Sequence, residues 1–275
     1  MISGDTKKMK IVKMTLILMF SFMVCISNIY AYDFGINVTI NDNRSNTGSN
    51  DGYSYTNPKE HGWWTTGKGQ GGEDQEVEPG MMPLQKWDLE GFFLKDGKYL
   101  SIIGGFDFKN GVEGIRSGSI FIDVTGDAQY GRTANASVPN YGYEYAIDLN
   151  LVNSQYNVYQ GSWNWDPVIE QQNIPYSNPW RYRDGGELVT SGSFVYMSGL
   201  SDSDVGGFLG GSHYAVTGFD LSFLPAGTTF IAHFTEECGN DNLMDDGTTV
   251  PEPATMLLLG LGLMGIAGIK RKIKV

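Results

Sequence analysis

Carboxylates beside a predicted turn are the side chains best suited to hold a metal ion. Asp123 and Asp127 bracket a Val-Thr-Gly turn, and Glu144 and Asp148 lie on the next predicted strand. If those strands pair, the acids meet at one end. Ca²⁺ takes six to eight oxygen ligands, and extracellular sites are weak. Acids favoured only by turn geometry are the alternative. The predicted structural calcium ligands are Asp123, Asp127, Glu144, Asp202 and Asp204.

A second group is aromatic and could bind sugars. All six Trp of the chain lie between residues 32 and 249, and the stretch 162–186 is rich in aromatic and polar residues. Sugar rings stack on exposed aromatic faces, so such a stretch on a β-sandwich predicts a glycan platform. Packing in the core or at a sheet edge is the alternative. The residues predicted to contact glycan are Trp163, Trp165, Trp180 and Tyr182.

Groups for covalent catalysis are sparse. Cys238 with His213 or His233 could form a thiol–imidazole pair, but a lone Cys is more often a small buried apolar residue. His233, Glu236 and Cys238 have poor spacing for a metal. The motifs Gly-x-Ser-x-Gly and His-Glu-x-x-His are absent. With so many acids, some pair meets glycosidase spacing by chance. We therefore predict no catalytic residues and no enzyme.

The charge distribution limits the partners. Residues 32–249 contain 11 Lys and Arg against 29 Asp and Glu, a net charge of −18, whereas the whole chain carries −12. Such a body repels nucleic acid and anionic lipid. The composition therefore predicts no nucleic-acid partner. It suits a solvated surface protein or one that takes up divalent cations.

Short alternating runs separated by Gly, Asn and Asp dominate residues 32–249, and long helical periodicity is missing. This pattern predicts a single all-β domain, a β-sandwich or jelly roll with long loops. We expect loops over 41–80 and an insertion or loop cap over 162–186. The predicted strands are 36–40, 99–108 with a bulge at Gly104-Gly105, 119–124, 143–149, 156–159, 188–197, 214–223 and 228–234.

The N-terminus has the anatomy of a secretory signal peptide. Four Lys precede an apolar run that ends at the small residue Ala31. We predict that residues 1–31 are recognised by the Sec translocon and removed by signal peptidase after Ala31. One alternative is a lipoprotein modified at Cys25, although Val24 is larger than the residue such processing needs. The other is an uncleaved anchor, for which the run is short.

The C-terminal segment 250–275 combines three features. Pro251-Glu252-Pro253 comes first, the uncharged run 254–269 follows, and a basic end covers 270–274. A helix of 16 residues reaches about 24 Å, slightly less than the ~30 Å hydrocarbon core. Positive charge stays on the cytoplasmic side, so the body precedes the tail in export. The segment therefore predicts a transmembrane helix that anchors the chain, at least transiently, in the inner membrane.

These three parts resemble the PEP-CTERM sorting signal of Gram-negative bacteria. The resemblance implies recognition by an exosortase, a membrane enzyme that cuts near Pro-Glu-Pro and releases or re-anchors the body at the cell surface. Such proteins are typical of bacteria that make exopolysaccharide and biofilm matrix. The segment 233–241 is similar to one that recurs near the end of many PEP-CTERM proteins. The residues implied in sorting are Pro251, Glu252, Pro253, Lys270, Arg271 and Lys272.

Taken together, the sequence predicts an exported protein of the cell surface or extracellular matrix. We expect a structural or adhesive role without enzymatic activity, with structural calcium as the one expected cofactor. The alternative is a module that binds exopolysaccharide. An enzyme acting on that polysaccharide has the least support.

Overall fold

Strands make up most of the regular structure. The computed structural model describes residues 32–40, 74, 81–82, 84–128, 139–169 and 177–250. Its strands are β1 (Ile36–Asn37), β2 (Leu89–Lys95), β3 (Tyr99–Gly104), β4 (Ile120–Asp123), β5 (Tyr145–Asn150), β6 (Gln155–Asp166), β7 (Arg181–Ser193), β8 (Val195–Leu200), β9 (His213–Asp220), β10 (Thr229–Thr235), β11 (Asn242–Met244) and β12 (Gly247–Thr248). Short 3-10 turns cover Gln85–Trp87 and Pro139–Gly142.

The strands form two antiparallel sheets. The first sheet has the order β1-β2-β3-β9-β8. The second has the order β11-β10-β4-β5-β6-β7, with β12 also paired to β10. This arrangement confirms the prediction of a nearly all-β fold and is consistent with an all-β sandwich. The narrower jelly-roll form stays a prediction.

One apolar core receives alternate side chains from both sheets. Leu100 and Ile102 of β3 join Ile147 of β5 and Val158 of β6 in it, and all four are buried. Alternation explains this, because side chains two residues apart on a strand point to the same face. Burial of apolar area at about 25 cal/mol per Å² makes this layer the main stabilising contact of the described fold.

The outer faces of both sheets are also covered. On the second sheet, Phe121, Ala146 and Trp163 belong to a separate cluster with Tyr143. On the first sheet, Ile103 and Ala215 pack with Phe208 and other residues of the loop that precedes β9. Strands buried on both faces lack a simple apolar–polar alternation. This double burial decides where the aromatic residues discussed below lie.

The observed strands correct two predictions. The run 188–197 was predicted to be one strand, but it is divided between β7 and β8. The division falls at buried Phe194, where the chain passes from the second sheet to the first. The stretch 162–186 was predicted to be an insertion or loop cap. In its described part β6 extends to Asp166, and β7 begins at Arg181 and pairs with it.

Several predictions concern residues that the structure does not describe. The signal peptide 1–31 with its cleavage site at Ala31, the helix 254–269, the basic end 270–274 and most of the loop 41–80 lie outside the described residues. The domain boundaries 32–249 and 250–275 stay predictions for the same reason. Among the described residues, no helix is long and apolar enough to cross a membrane.

Candidate functional site

The predicted calcium ligands Asp123, Asp127 and Glu144 lie together, and we call these three residues the turn cluster. Asp123 ends β4, and Glu144 comes directly before β5. Antiparallel pairing of Ile122 with Tyr145 places Glu144 beside the turn that follows Asp123. One carboxylate oxygen from each member lies within 4.8 Å of the others. The structure therefore brings three of the four predicted acids together and leaves Asp148 out of the group. That these residues hold calcium stays a prediction.

Asp123 also holds the turn in shape. Its Oδ1 accepts hydrogen bonds from the backbone N–H groups of Thr125 (2.8 Å) and Gly126 (2.7 Å), and its Oδ2 accepts one from Ala128 (2.9 Å). Gly126 has a φ of +82°, which favours glycine. The buried end of the cluster is therefore fixed before any ligand arrives.

The rim of the turn cluster has more acceptors than donors. The Thr125 hydroxyl is 2.6 Å from Asp127 Oδ1 and 2.9 Å from Glu144 Oε1. It carries one hydrogen and satisfies only one of them at a time. Burial raises the pKa of Glu144. Hydrogen bonds from the Val124 N–H, at 2.7 Å from Oε2, and from the Thr125 hydroxyl oppose this rise, and the charges of Asp123 and Asp127 add to it. Within the described part of the chain, no Lys or Arg forms an ion pair with these carboxylates. Three carboxylates and a hydroxyl form a donor set that a hard cation prefers.

Asp202 and Asp204 lie in a different part of the fold. Both belong to the loop between β8 and β9, on the first sheet. Asp204 Oδ2 accepts hydrogen bonds from the backbone N–H and hydroxyl of Ser201 at 2.9 and 2.6 Å. Asp202 Oδ1 accepts the backbone N–H of Gly211 at 2.7 Å. The structure therefore gives each of these acids a role within its own loop and does not bring them to the turn cluster.

A buried site that the sequence reasoning missed surrounds His213, and we call Glu90, His213 and Asp202 the histidine clamp. His213 Nδ1 lies 2.8 Å from both carboxylate oxygens of Glu90. His213 Nε2 lies 2.9 Å from Asp202 Oδ1. The side chains of Glu90 and His213 are fully buried. Gln85 Nε2 donates to Glu90 Oε1 at 2.7 Å. The sequence contained one signal for this site, because Glu90 is the single charged residue in the apolar run 89–94 and a buried charge needs a partner.

The electrostatics of the histidine clamp favour an imidazolium. Burial would lower the pKa of His213, but hydrogen bonds to Glu90 and Asp202, together with their charges, raise it to about 9. Burial raises the pKa of Glu90, and the bond to His213 lowers that of Asp202. Asp74 and Asp88 come within 4.8 Å of Glu90 and extend this acidic group. His213 therefore supplies one positive charge between Glu90 and Asp202.

The predicted glycan residues are mostly part of the core. Trp163, Trp180 and Tyr182 are 4%, 2% and 8% exposed, which leaves little ring surface for a sugar. Trp163 stacks on Phe121 at 5.2 Å between ring centroids. Trp165 is partly buried and meets Tyr141 edge-on at 4.7 Å. Of the predicted patch, Trp165 alone is partly rather than fully buried.

The segment 233–241 covers the last three residues of β10 and the turn that leads to β11. The ring of His233 packs against Phe121 and Tyr143 at 6.0 and 5.7 Å between centroids. Burial lowers its pKa to about 3, so the ring is neutral. Asp241 Oδ2 accepts the backbone N–H of Leu89 at 2.6 Å and ties this turn to the first sheet. Cys238 is a buried free thiol. In this segment His233 therefore packs against the outer cluster of the second sheet, and Asp241 links the two sheets.

The junction with the C-terminal segment is anchored to the fold. The Thr249 hydroxyl donates to the Pro225 carbonyl at 2.7 Å, and the Val250 N–H donates to the Gly97 carbonyl at 3.1 Å. A Cβ at position 97 would lie 2.3 Å from the Val250 side chain, so glycine is needed there. The described fold therefore continues to the residue before Pro251. The predicted sorting residues Pro251, Glu252, Pro253, Lys270, Arg271 and Lys272 lie outside the described residues.

Comparison with known proteins identifies this terminal segment. Residues 249–272 match the family model of the PEP-CTERM protein-sorting motif. The motif implies an exosortase as processing partner, and export with membrane transit toward the cell surface. Neither the curated proteins nor the solved structures contain a significant match. The comparisons therefore identify the sorting signal at residues 249–272 and assign no role to the β-sheet body.

Proposed function

We propose that this chain is a structural or adhesive component of the cell surface or extracellular matrix, processed by exosortase and without enzymatic activity. The observation that carries the proposal is the position of the sorting motif. It begins at residue 249, where the hydrogen bonds of Thr249 and Val250 end the described fold. A cut near Pro251-Glu252-Pro253 would leave the two sheets and their cores intact. Release at the surface is then compatible with a stable body.

The turn cluster supports a calcium-dependent version of this role. Asp123, Asp127 and Glu144 repel one another until a cation neutralises them. A weak site at a rim suits the calcium level outside cells. Calcium bound there would hold the turn that follows Asp123 against Glu144 and stabilise the exported body.

The alternative function is binding of exopolysaccharide. Trp165 is the one member of the predicted aromatic patch that is only partly buried, and its accessible part supports this alternative. A polysaccharide-active enzyme has less support still, because the buried groups described above have roles in packing or in the histidine clamp.

Processing is tested by the intact mass and terminal sequences of the protein recovered from the surface of its native host. We expect a start near Tyr32 and an end near Pro251. Replacing Pro251-Glu252-Pro253 with alanines should leave the C-terminal segment attached. Alanine replacement of the exposed β7 residues Glu187 and Leu188 is a control that should not. A native mass that still contains residues 256–275 would contradict the processing proposal.

A further inference from the structure

A groove opens between the two sheets on the side of the fold formed by β7 and β9. Its volume is about 570 Å³, within the usual range of ligand pockets, about 300–1,000 Å³. The groove shares no lining residue with the turn cluster or with the aromatic patch. The lining residues that carry the argument are Tyr99, Tyr156, Ser193, Asp220, Ser222 and Phe223.

The floor of the groove is fixed by contacts within the protein. The hydroxyl of buried Tyr156 accepts a hydrogen bond from the Asp220 N–H at 2.9 Å, which joins the two sheets. The ring of Tyr156 packs edge-on against Phe219 at 5.4 Å. A Cβ at Gly192 would lie 2.4 Å from the Tyr156 Oη, so a larger residue would displace this floor. The groove therefore exists without a ligand to shape it.

Aromatic and hydroxyl side chains line the groove. Tyr99 and Phe223 are partly exposed, and Ser193 and Ser222 are exposed. Asp220 Oδ1 accepts the Ser222 N–H at 2.8 Å, but each carboxylate oxygen has a second lone pair for a ligand. Ring faces beside hydroxyl and carboxylate acceptors match a sugar, which offers C–H faces and many hydroxyl donors. A lipid chain would leave these polar groups unsatisfied.

The charge of the groove excludes acidic ligands. Lys98 Nζ lies 3.7 Å from Asp220 Oδ2 and 5.2 Å from the Tyr99 ring centroid. This pair is nearly neutral, so it offers no free cation to a carboxylate or sulfate. The strongly acidic body adds long-range repulsion of polyanions. A neutral ligand fits best.

We propose that this groove binds a short stretch of neutral saccharide, with the sugar ring stacked on the face of Tyr99 opposite Lys98 and its hydroxyls donating to Asp220. The proposal rests on the glycan-binding alternative above and gives it a different site from the one predicted around Trp165. The structural role of the body does not depend on it.

Affinity electrophoresis of the processed protein in gels containing dextran, galactomannan or xylan tests the proposal, with alginate as the acidic control. We expect retardation by at least one neutral polymer and none by alginate. Tyr99→Ala should weaken that binding at least tenfold, whereas Tyr99→Phe, which keeps the ring, should change it less than threefold. Trp165→Ala is the matched aromatic control and should bind like the native protein. Thermal unfolding of each variant separates lost binding from lost folding.

The outcomes distinguish failure of the proposed binding site from failure of glycan binding by the protein as a whole. Binding that is lost in Trp165→Ala and kept in folded Tyr99→Ala would overturn the groove while supporting glycan binding. If the native protein binds none of the neutral polymers, both are contradicted. If Tyr99→Ala instead changes the mass of the native assembly in light scattering, the groove is a protein interface and the saccharide proposal is wrong. If Tyr99→Ala fails to fold, Asp220→Asn takes its place and should also weaken binding.

Discussion

The turn cluster and the histidine clamp both bring carboxylates close together, but they differ in where the balancing charge comes from. In the histidine clamp, the His213 ring lies between Glu90 and Asp202 and supplies a cation from within the chain. In the turn cluster, Thr125 supplies a single hydroxyl to the rim oxygens. The two groups of acids therefore differ in their need for a cation from outside the chain. The histidine clamp contains a cation of its own, whereas the turn cluster has no Lys or Arg partner among the described ion pairs and would gain from an external cation.

Removing the carboxylate of Glu90 from the histidine clamp should have the largest effect on the free energy of unfolding. Glu90→Gln leaves the buried His213 without its main carboxylate, and breaking a buried pair costs about 3–5 kcal/mol. We expect the free energy of unfolding, measured in urea, to fall by about this amount. Glu113→Gln is the matched control, because Glu113 pairs with Lys86 on the surface, where such pairs contribute about 0–1 kcal/mol. Equal losses in the two variants would contradict the histidine clamp.

A change of pH should weaken the histidine clamp on the alkaline side. The pKa of His213 is about 9 in the fold against 6.5 when unfolded. Its contribution is therefore fully present below pH 6.5 and is lost as pH rises through 9, with a magnitude of about 3 kcal/mol. Glu90, Asp202 and Asp74 are the charged groups that face it. Urea unfolding between pH 6.5 and 10 should show this loss in the native protein and a smaller one in His213→Gln.

Calcium should stabilise the turn cluster by a smaller amount. For a site with a dissociation constant of 10⁻⁴–10⁻³ M, a few millimolar Ca²⁺ adds about 1–2 kcal/mol to the free energy of unfolding. The effect should shrink at pH 5, because the raised pKa of Glu144 keeps part of that carboxyl protonated. Thermal unfolding with calcium and with chelator at both pH values measures it. A larger stabilisation at pH 5 would count against Glu144 as a ligand.

His233 provides a third case, a buried histidine without a carboxylate partner among the described ion pairs. The pKa of His233 is about 3 in the fold and 6.5 in the unfolded chain. As pH drops from 6.5 toward 3, the unfolded chain binds a proton that the folded chain does not, so the fold loses stability. His233→Phe keeps the ring packing and should change stability at pH 7.5 by less than about 1.5 kcal/mol. The variant should also be less sensitive to acid. Unchanged acid sensitivity would show that His233 does not titrate as described.

Much of the fold could be predicted from local pattern, and the exceptions have physical causes. β4, β5, β9 and β10 were predicted near their observed positions because each has an alternating run. β2 was missed because Glu90 and Gly91 interrupt its apolar run. The burial of Glu90 depends on His213, which is 123 residues away in the sequence. No local pattern reveals such a partner.

The sites show the same division. The turn cluster could be predicted because neighbouring strands of a hairpin bring nearby residues together. The aromatic patch was predicted on an exposed surface, yet Trp163 and Tyr182 are buried in the cluster on the outer face of the second sheet, together with Tyr143 and Ile40. The groove was not predicted, since it combines β3, β6, β7 and β9. The C-terminal motif is a contiguous signal and needs no fold to be recognised.

Calorimetric titration of CaCl₂ into chelator-treated protein tests the difference between the two acidic groups most directly. We expect one Ca²⁺ per chain in the native protein and in Asp202→Asn, and none in Asp127→Asn. This result would place the ion at the turn cluster and leave the histidine clamp balanced by His213. Native protein that binds no calcium, or binding that survives in Asp127→Asn and is lost in Asp202→Asn, would contradict the account.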